Sequence, residues 1–250
     1  VKESAAVKIL DVHGYLGPTI VPGAAASAAV VTSTMSARGV GGAVLMSRHA
    51  QNVDPIAGNR IVKAMVEQAP NLLACLVTHI GRVDASIEAM RELLGGRKFV
   101  AMAITGFRPG HTVEKMLADD ILNAFRRFTK PLMLFTPNSE SVHAAVEIAK
   151  SYPMIKVVLL GMGGAEWRTA IAAAQAVTNI YLETSGALDR AKIPSAVEAI
   201  GTNRIVFGSG TPHVDVSAAL GLIEDSAISE EARRKILFDN AVRLFGLGGD

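Results

Sequence analysis

Side chains that can move protons or hold an anion recur along this chain wherever an apolar run breaks into a polar turn. In order they are Asp11, His13 and Tyr15; Ser47, Arg48 and His49; Thr78 and His79; Thr105, with Arg108 and His111 beyond it; Phe135, Thr136 and Asn138; Gly161, Met162 and Gly163; Glu183, Thr184 and Ser185; and Ser209, Gly210 and His213. An imidazole titrates near neutrality, so His13 is a candidate general base or substrate donor, or else a residue bonded into the framework. Tyr15 can donate a hydrogen bond or a proton, or serve as a wall. Glu183 is the best-placed carboxylate for acid–base work. Arg48 and Arg108 follow the second and fourth runs and can clamp a carboxylate bidentately, if they are not simply exposed loop residues. Asp11 is expected to brace the backbone or His13. His49, His111 and His213 read as loop or supporting residues, His79 as part of the pocket lining, and His143 as a surface residue within a helix. Ser209 lacks a Gly-x-Ser-x-Gly elbow, so no covalent serine mechanism is expected.

The elements that must carry these groups alternate without interruption. Apolar runs at residues 7–13, 42–46, 72–79, 99–105, 131–136, 155–160, 179–183 and 204–207 read as strands. Helices are predicted near 25–36, 59–68, 84–94, 115–128, 139–151, 166–176, 191–200 and 216–225, with a last one from Ser229 through 244. Asp84, Ser139 and Ser229 are the expected N-caps. If the first strand stays extended, alternation puts Asp11, His13 and Tyr15 on one side of it. The eighth run breaks into Gly208-Ser209-Gly210-Thr211-Pro212-His213, a tight turn. Parallel strands need right-handed helical crossovers, and eight of them predict a (β/α)8 TIM barrel, one domain over residues 1–250 with an additional C-terminal helix. A doubly wound sheet is the competitor, but residues 14–18 lack the Gly spacing of a phosphate loop. In a barrel, functional side chains stand at the C-terminal ends of the strands, where the polar groups above fall.

Composition agrees. Half of the 250 residues are apolar and only 5% aromatic, an aliphatic make-up suited to parallel strands buried on both faces. The net charge of +2 is nearly balanced, with Lys and Arg scattered, so no nucleic-acid surface is expected. One cysteine, Cys75, lies in an apolar run and reads as a buried reduced thiol, consistent with a cytoplasmic protein. No apolar run reaches about 18 residues, so no membrane span is expected.

The quoted motifs resemble the amidohydrolase superfamily, in its amidohydrolase-related branch of hydrolases, lactonases and aromatic-acid decarboxylases. Residues 11–17, DVHGYLG, look like the Asp-x-His-x-His opening of that family. The segment 130–135 is similar to its fifth strand, 152–164 to its sixth, 179–185 to its seventh, 208–213 to its Gly-Ser-Asp-x-Pro turn, and 236–245 to its closing helix. The resemblance implies metal-binding positions, and of these only His13 keeps its ligand. The others fall on Tyr15, near Ala103, and on Phe135, Gly161 and Gly210, none of which supplies a family donor. A divalent ion needs three or four N, O or S donors. The expectation is therefore a barrel without a metal site or cofactor, in which Gly161 and Gly210 open room near the mouth.

The leading functional reading is a metal-independent, amidohydrolase-like hydrolase acting on a small and anionic organic acid, lactone or amide. His13, Tyr15 and Glu183 are assigned to catalysis. Arg48, His79, Thr105, Arg108, Gly161, Ser209 and Gly210 are assigned to substrate binding. The alternatives are an inactive barrel that binds a small molecule or partner, and a metal-dependent hydrolase or decarboxylase. A homodimer is the expected assembly, through the Ala-rich segment 170–177 and the terminal helix.

Overall fold

The computed structural model describes residues 8–17, 27–107 and 112–248. Its eight strands form one parallel sheet in sequence order: β1 Ile9–Leu16, β2 Val40–Ser47, β3 Leu72–His79, β4 Phe99–Thr105, β5 Leu132–Phe135, β6 Val157–Leu160, β7 Ile180–Glu183 and β8 Ile205–Val206. Backbone from the turn after β8 closes the sheet onto β1. Val12 N donates to Phe207 O at 2.9 Å, Gly210 N to His13 O at 2.7 Å, and Tyr15 N to Thr211 O at 2.9 Å. The predicted (β/α)8 barrel is therefore the fold.

Helices separate the strands: α1 Ala28–Ser36, α2 Arg48–Asn52, α3 Pro55–Glu67, α4 Val83–Leu93, α5 Lys115–Phe125, α6 Ser139–Ser151, α7 Trp167–Ala176, α8 Lys192–Ile200 and α9 Val216–Glu224. After them α10 Glu230–Arg234, a wider π-turn at Lys235–Asp239 and α11 Asn240–Phe245 make one continuous closing segment, capped at Ser229 as expected. Two other caps differ from expectation. Asp84 lies in the first turn of α4, where its charge suits the helix dipole, because the helix already begins at Val83, with Arg82 in the cap position. The α6 cap is Asn138, which accepts from Ser141 N at 3.0 Å in a capping box, while the Ser139 hydroxyl bonds Thr169 Oγ1 at 2.8 Å. The stretch read as a polar loop after β2 holds α2, because the Ser47 hydroxyl at the strand end accepts from Ala50 N at 3.0 Å.

Alternation along the strands sorts two apolar layers. Val44, Met46, Cys75, Val77, Ala101, Ala103, Met133, Val158, Leu160 and Val206 fill the barrel, and Ala241, Leu244 and Phe245 of α11 continue that cluster. Their neighbours, among them Leu45, Leu76, Met102, Leu134 and Leu159, face the helices. Burial of Cys75 raises its thiol above the ordinary range, so it is an inert core residue as expected.

The first strand breaks the alternation, and the site depends on this. Asp11 pairs with Ala43 but Gly14 pairs with Leu45, so three steps along β1 match two along β2. That extra residue is a β-bulge. Leu10, Val12 and Tyr15 belong to the barrel interior, while Ile9 and Leu16 pack on the helix side. Asp11, flanked by inward Leu10 and Val12, therefore lies on the opposite side from Tyr15. The expectation that Asp11, His13 and Tyr15 share one side holds for His13 and Tyr15, whose side chains meet, and is corrected for Asp11, because the bulge resets the register between it and them.

Candidate active site

His13 is the hub of the barrel mouth. It is buried, and both ring nitrogens are engaged. Nδ1 lies 2.9 Å from Glu183 Oε2 and 3.1 Å from Ser185 Oγ, and Nε2 lies 2.6 Å from the Tyr15 hydroxyl. Glu183, fully buried at the end of β7, is held from several directions. Its Oε2 accepts from the Gly161 amide at 3.0 Å and the Ser185 hydroxyl at 2.7 Å, and its Oε1 accepts from the Ser185 amide at 2.5 Å. Gly161 (φ +76°) turns its N–H toward the carboxylate from a left-handed conformation that glycine adopts without strain. Gly208 is required for a different reason. A β-carbon there would lie 2.3 Å from Glu183 Oε1 and 2.8 Å from His13 Cβ.

The charges follow from these contacts. Burial disfavours an ionised Glu183, but the His13 charge, its hydrogen bond, and the Gly161 and Ser185 donors outweigh it, so the carboxyl lies below its usual range. Burial likewise opposes a charged His13. The electrostatic pull of Tyr15 and Glu183 and the hydrogen bonds to both prevail, pushing the imidazole up to about 10. At neutral pH the pair is an imidazolium beside a carboxylate. Both nitrogens of an imidazolium are donors, so Nε2–H points at the Tyr15 oxygen and leaves the phenol proton for something else.

Asp11 braces, as expected. It accepts from His13 N and Ser209 N, each at 3.0 Å, and from the Ser209 hydroxyl at 2.5 Å. Burial dominates its titration and raises it to about 6 against those hydrogen bonds. The Ser209 hydroxyl also accepts from Thr211 N at 3.0 Å. Ser209 thus works inward, fastening the β8 turn to β1, and offers no hydroxyl to the mouth. Thr105 spends its hydroxyl on Thr78 O at 3.1 Å. His79 takes the Gly81 amide on Nδ1 at 2.9 Å and meets the edge of exposed Phe107 at 5.6 Å between ring centroids. Its pKa is lowered, chiefly by burial. Gly161 and Gly210 do more than leave room, since each gives a backbone amide, Gly161 to Glu183 and Gly210 to His13 O. A β-carbon at either would still meet nothing closer than 3.9 Å, so the space expected beside them is there. Arg108, and with it His111, lies outside the described residues.

Arg48, first residue of α2, is brought to Tyr15. Its guanidinium carbon lies 3.9 Å from the Tyr15 ring centroid, a cation–π contact. Its Nε donates to His213 Nε2 at 3.0 Å and its Nη1 to Gln51 Oε1 at 3.2 Å, and Nη2 has no partner among the described residues. His213 stands edge-on to Tyr15 at 5.4 Å between centroids. Burial first, then Arg48 and His13, lower its pKa. Ser185 stands among the groups at the end of the seventh run but has no role assigned from sequence, although it follows Glu183 by only two residues; Lys192 is not foreseen at all. Lys192 is wholly buried, with Nζ donating to Thr184 O at 2.7 Å and Ser185 O at 2.9 Å, and no local pattern distinguishes it from a surface lysine.

A divalent ion needs at least three donors with free lone pairs. Among the described residues no group of three or more His, Cys, Asp or Glu side chains is arranged to hold one. Both His13 nitrogens and both Glu183 oxygens are committed to protein partners, and Phe135, Gly161 and Gly210 bring no side-chain donor. The described residues at this mouth therefore do not bring together three free donors for a divalent ion.

A family model described as Amidohydrolase matches residues 21–247. A γ-resorcylate decarboxylase of Polaromonas is 38% identical over 69 residues, which is 28% of this chain and 21% of that protein. A 2,6-dihydroxybenzoate decarboxylase from Rhizobium superposes with a TM-score of 0.80 at 16% identity, covering 97% of this chain and 99% of that one. A dihydroxybenzoic acid decarboxylase from Polaromonas, with bound manganese and the inhibitor 2-nitroresorcinol, gives 0.78 at 17%, covering 97% and 98%. A probable 2-pyrone-4,6-dicarboxylic acid hydrolase from Acinetobacter baumannii, with citric acid bound, gives 0.71 at 15%, covering 95% and 99%.

Proposed function

We propose that this chain, which belongs to the amidohydrolase family, is an acid-type decarboxylase of small hydroxylated aromatic or similarly electron-rich carboxylic acids, working without a metal ion. The observation that carries this reading is the hydrogen-bonded line Glu183–His13–Tyr15, with 2.9 Å and 2.6 Å between its members. An imidazole held protonated is a proton source and a poor base. Decarboxylation of an electron-rich ring needs such a source and no nucleophilic water. In the proposed step the Tyr15 hydroxyl proton passes to the ring carbon that bears the carboxylate, while the His13 Nε2 proton moves to the Tyr15 oxygen. The carbon–carboxylate bond then breaks, its electrons return to the ring, and carbon dioxide leaves. A proton from water restores His13, so that R–COO⁻ and one H⁺ give R–H and CO₂. Arg48, whose Nη2 has no partner among the described residues, neutralises the anionic group. The likeness to dihydroxybenzoate decarboxylases supports the ring class.

Hydrolysis of a lactone or related acid is the second reading. It is favoured by His213, whose depressed pKa leaves it neutral beside Tyr15, as a base for water. Its Nε2 lone pair is already taken by Arg48, which places this reading second. An inactive, ligand-binding barrel would use Arg48 in the same way without the proton step.

The test is incubation of protein stripped of metal with hydroxybenzoates and with pyrone lactones, following CO₂ release and ring opening separately, alongside elemental analysis of protein purified without chelator. CO₂ release that persists without metal is the expected result. Ring opening alone would select hydrolysis. Activity that appears only with a stoichiometric divalent ion would overturn the metal-free step.

A further inference from the structure

One buried charge takes no part in the proposed step. Lys192, at the start of α8, is completely buried, yet no carboxylate among the described residues lies within ion-pair distance of its ammonium. A charge in that position is costly unless its protons are used. Two of them are, on the carbonyls of Thr184 and Ser185 at 2.7 and 2.9 Å. Those carbonyls belong to the two residues that follow Glu183, and the same short segment turns back to grip the Glu183 carboxylate through the Ser185 amide and hydroxyl. Thr184 is also tied to the β8 turn, since Gly208 N donates to its hydroxyl at 3.2 Å. An ammonium fixing two consecutive carbonyls sets the orientation of both peptide planes, and through them the direction of the Ser185 N–H.

We propose that Lys192 is a positioning residue, whose buried ammonium pins the exit of β7 so that Ser185 holds Glu183 against His13. The groups facing this ammonium are Glu183 and Asp189, whose negative charges favour its protonated form. Burial prevails over them and brings Lys192 down to about 8, so the latch is charged at neutral pH and weakens in mild alkali.

The inference rests on the Glu183–His13–Tyr15 line as proton source, and its test is independent of any substrate. The His13 midpoint is read by ¹⁵N-histidine NMR in the wild-type chain and in Lys192→Met, which keeps the length and apolar stem of lysine and loses the charge and the donors. Removing a positive charge through space alone would raise the His13 midpoint or leave it in place. Loss of positioning lets Glu183 drift from His13 and lowers it, by an expected one pH unit or more, with the circular-dichroism spectrum unchanged. A midpoint equal to or above wild type overturns the proposal. If Lys192→Met does not fold, Lys192→Gln, whose shorter side chain ends in an uncharged amide, is measured against the same two outcomes. In turnover, kcat is expected to fall about tenfold with KM within about twofold. Failure of the decarboxylase reading would remove that arm and leave the NMR result standing.

Discussion

The two ends of this barrel are both rich in polar side chains, but they use them in opposite ways. At the end where strands begin, long polar residues staple neighbouring turns together. Lys98 reaches Ala69 O at 2.8 Å and Leu72 O at 3.0 Å, Asn179 reaches Ala149 O at 3.0 Å and Ile155 O at 2.8 Å, and Lys130 bonds the carbonyls of Gly96 and Phe99. Arg204 holds three carbonyls, those of Ala174, Val177 and Ile180, through one nitrogen. Each of these residues stands just before its own strand and latches the turn that precedes the previous one. The donors add partners to carbonyls of helix ends, turns and strand starts, and the cations suit the negative end of the helix dipole. At the opposite end the polar groups bond mainly to one another. His13, Glu183, Tyr15, Ser185 and Asp11 build a buried charged network that carries a cost in desolvation and leaves Tyr15 and Arg48, among the described residues, with donors to spare. One end secures the framework, and the other stores charge in a form available to a ligand.

The largest expected effect separates the ends most sharply. His13→Gln keeps a polar side chain of similar reach but cannot carry the proton, and should lower kcat by about 10²–10⁴, the usual worth of a general acid. Steady-state CO₂ release checks this, and an unchanged rate would remove His13 from the chemistry. The same variant sharpens the electrostatics. The folded pKa of His13, about 10, lies above its unfolded value of about 6.5. Its contribution to stability is therefore complete below about 6.5 and declines as pH rises through about 10. Denaturant titrations from pH 6 to 10.5 should show the stability difference between wild type and His13→Gln shrinking toward alkali. A constant difference would mean that the imidazole is not held charged.

At the other end Arg204→Met should cost about 2–3 kcal/mol in urea unfolding, because a charged donor to three carbonyls is lost. The activity of the molecules that remain folded should be unchanged, and a fall in kcat at full folding would erase the division of labour between the ends. Smallest is Arg48→Met, expected to raise KM about tenfold for an anionic substrate, since one partly solvated charge contact is worth little more than 1 kcal/mol. If kcat falls instead, Arg48 acts in the proton step and belongs with His13.

Much of this was legible in the residue order. The β3 and β4 spans match the apolar runs residue for residue, because buried parallel strands are written as uninterrupted hydrophobic segments between turns. His13 and Glu183 are legible because each ends such a run and Tyr15 because it follows two residues on, and in a barrel all run ends meet at one mouth. Less legible were the features that depend on what lies across the barrel. Position alone puts Ser209 and Thr105 in the lining, but a hydroxyl bonds to the nearest available acceptor, and theirs are Asp11 and Thr78.

The sequence by itself determined the alternation of strands and helices, the aliphatic core and the set of groups gathered at one rim, since hydrophobic period and turn chemistry are local properties. Only the tertiary structure decided which of those groups touch. The bulge in β1 set Asp11 on the other side from the touching pair His13 and Tyr15, Gly208 left room for Glu183 beside the imidazole, and the fold carried Lys192 into the interior. These outcomes depend on distances between segments as much as 198 residues apart, as for Asp11 and Ser209, and on the mutual charge of buried groups. No local stretch of sequence encodes either.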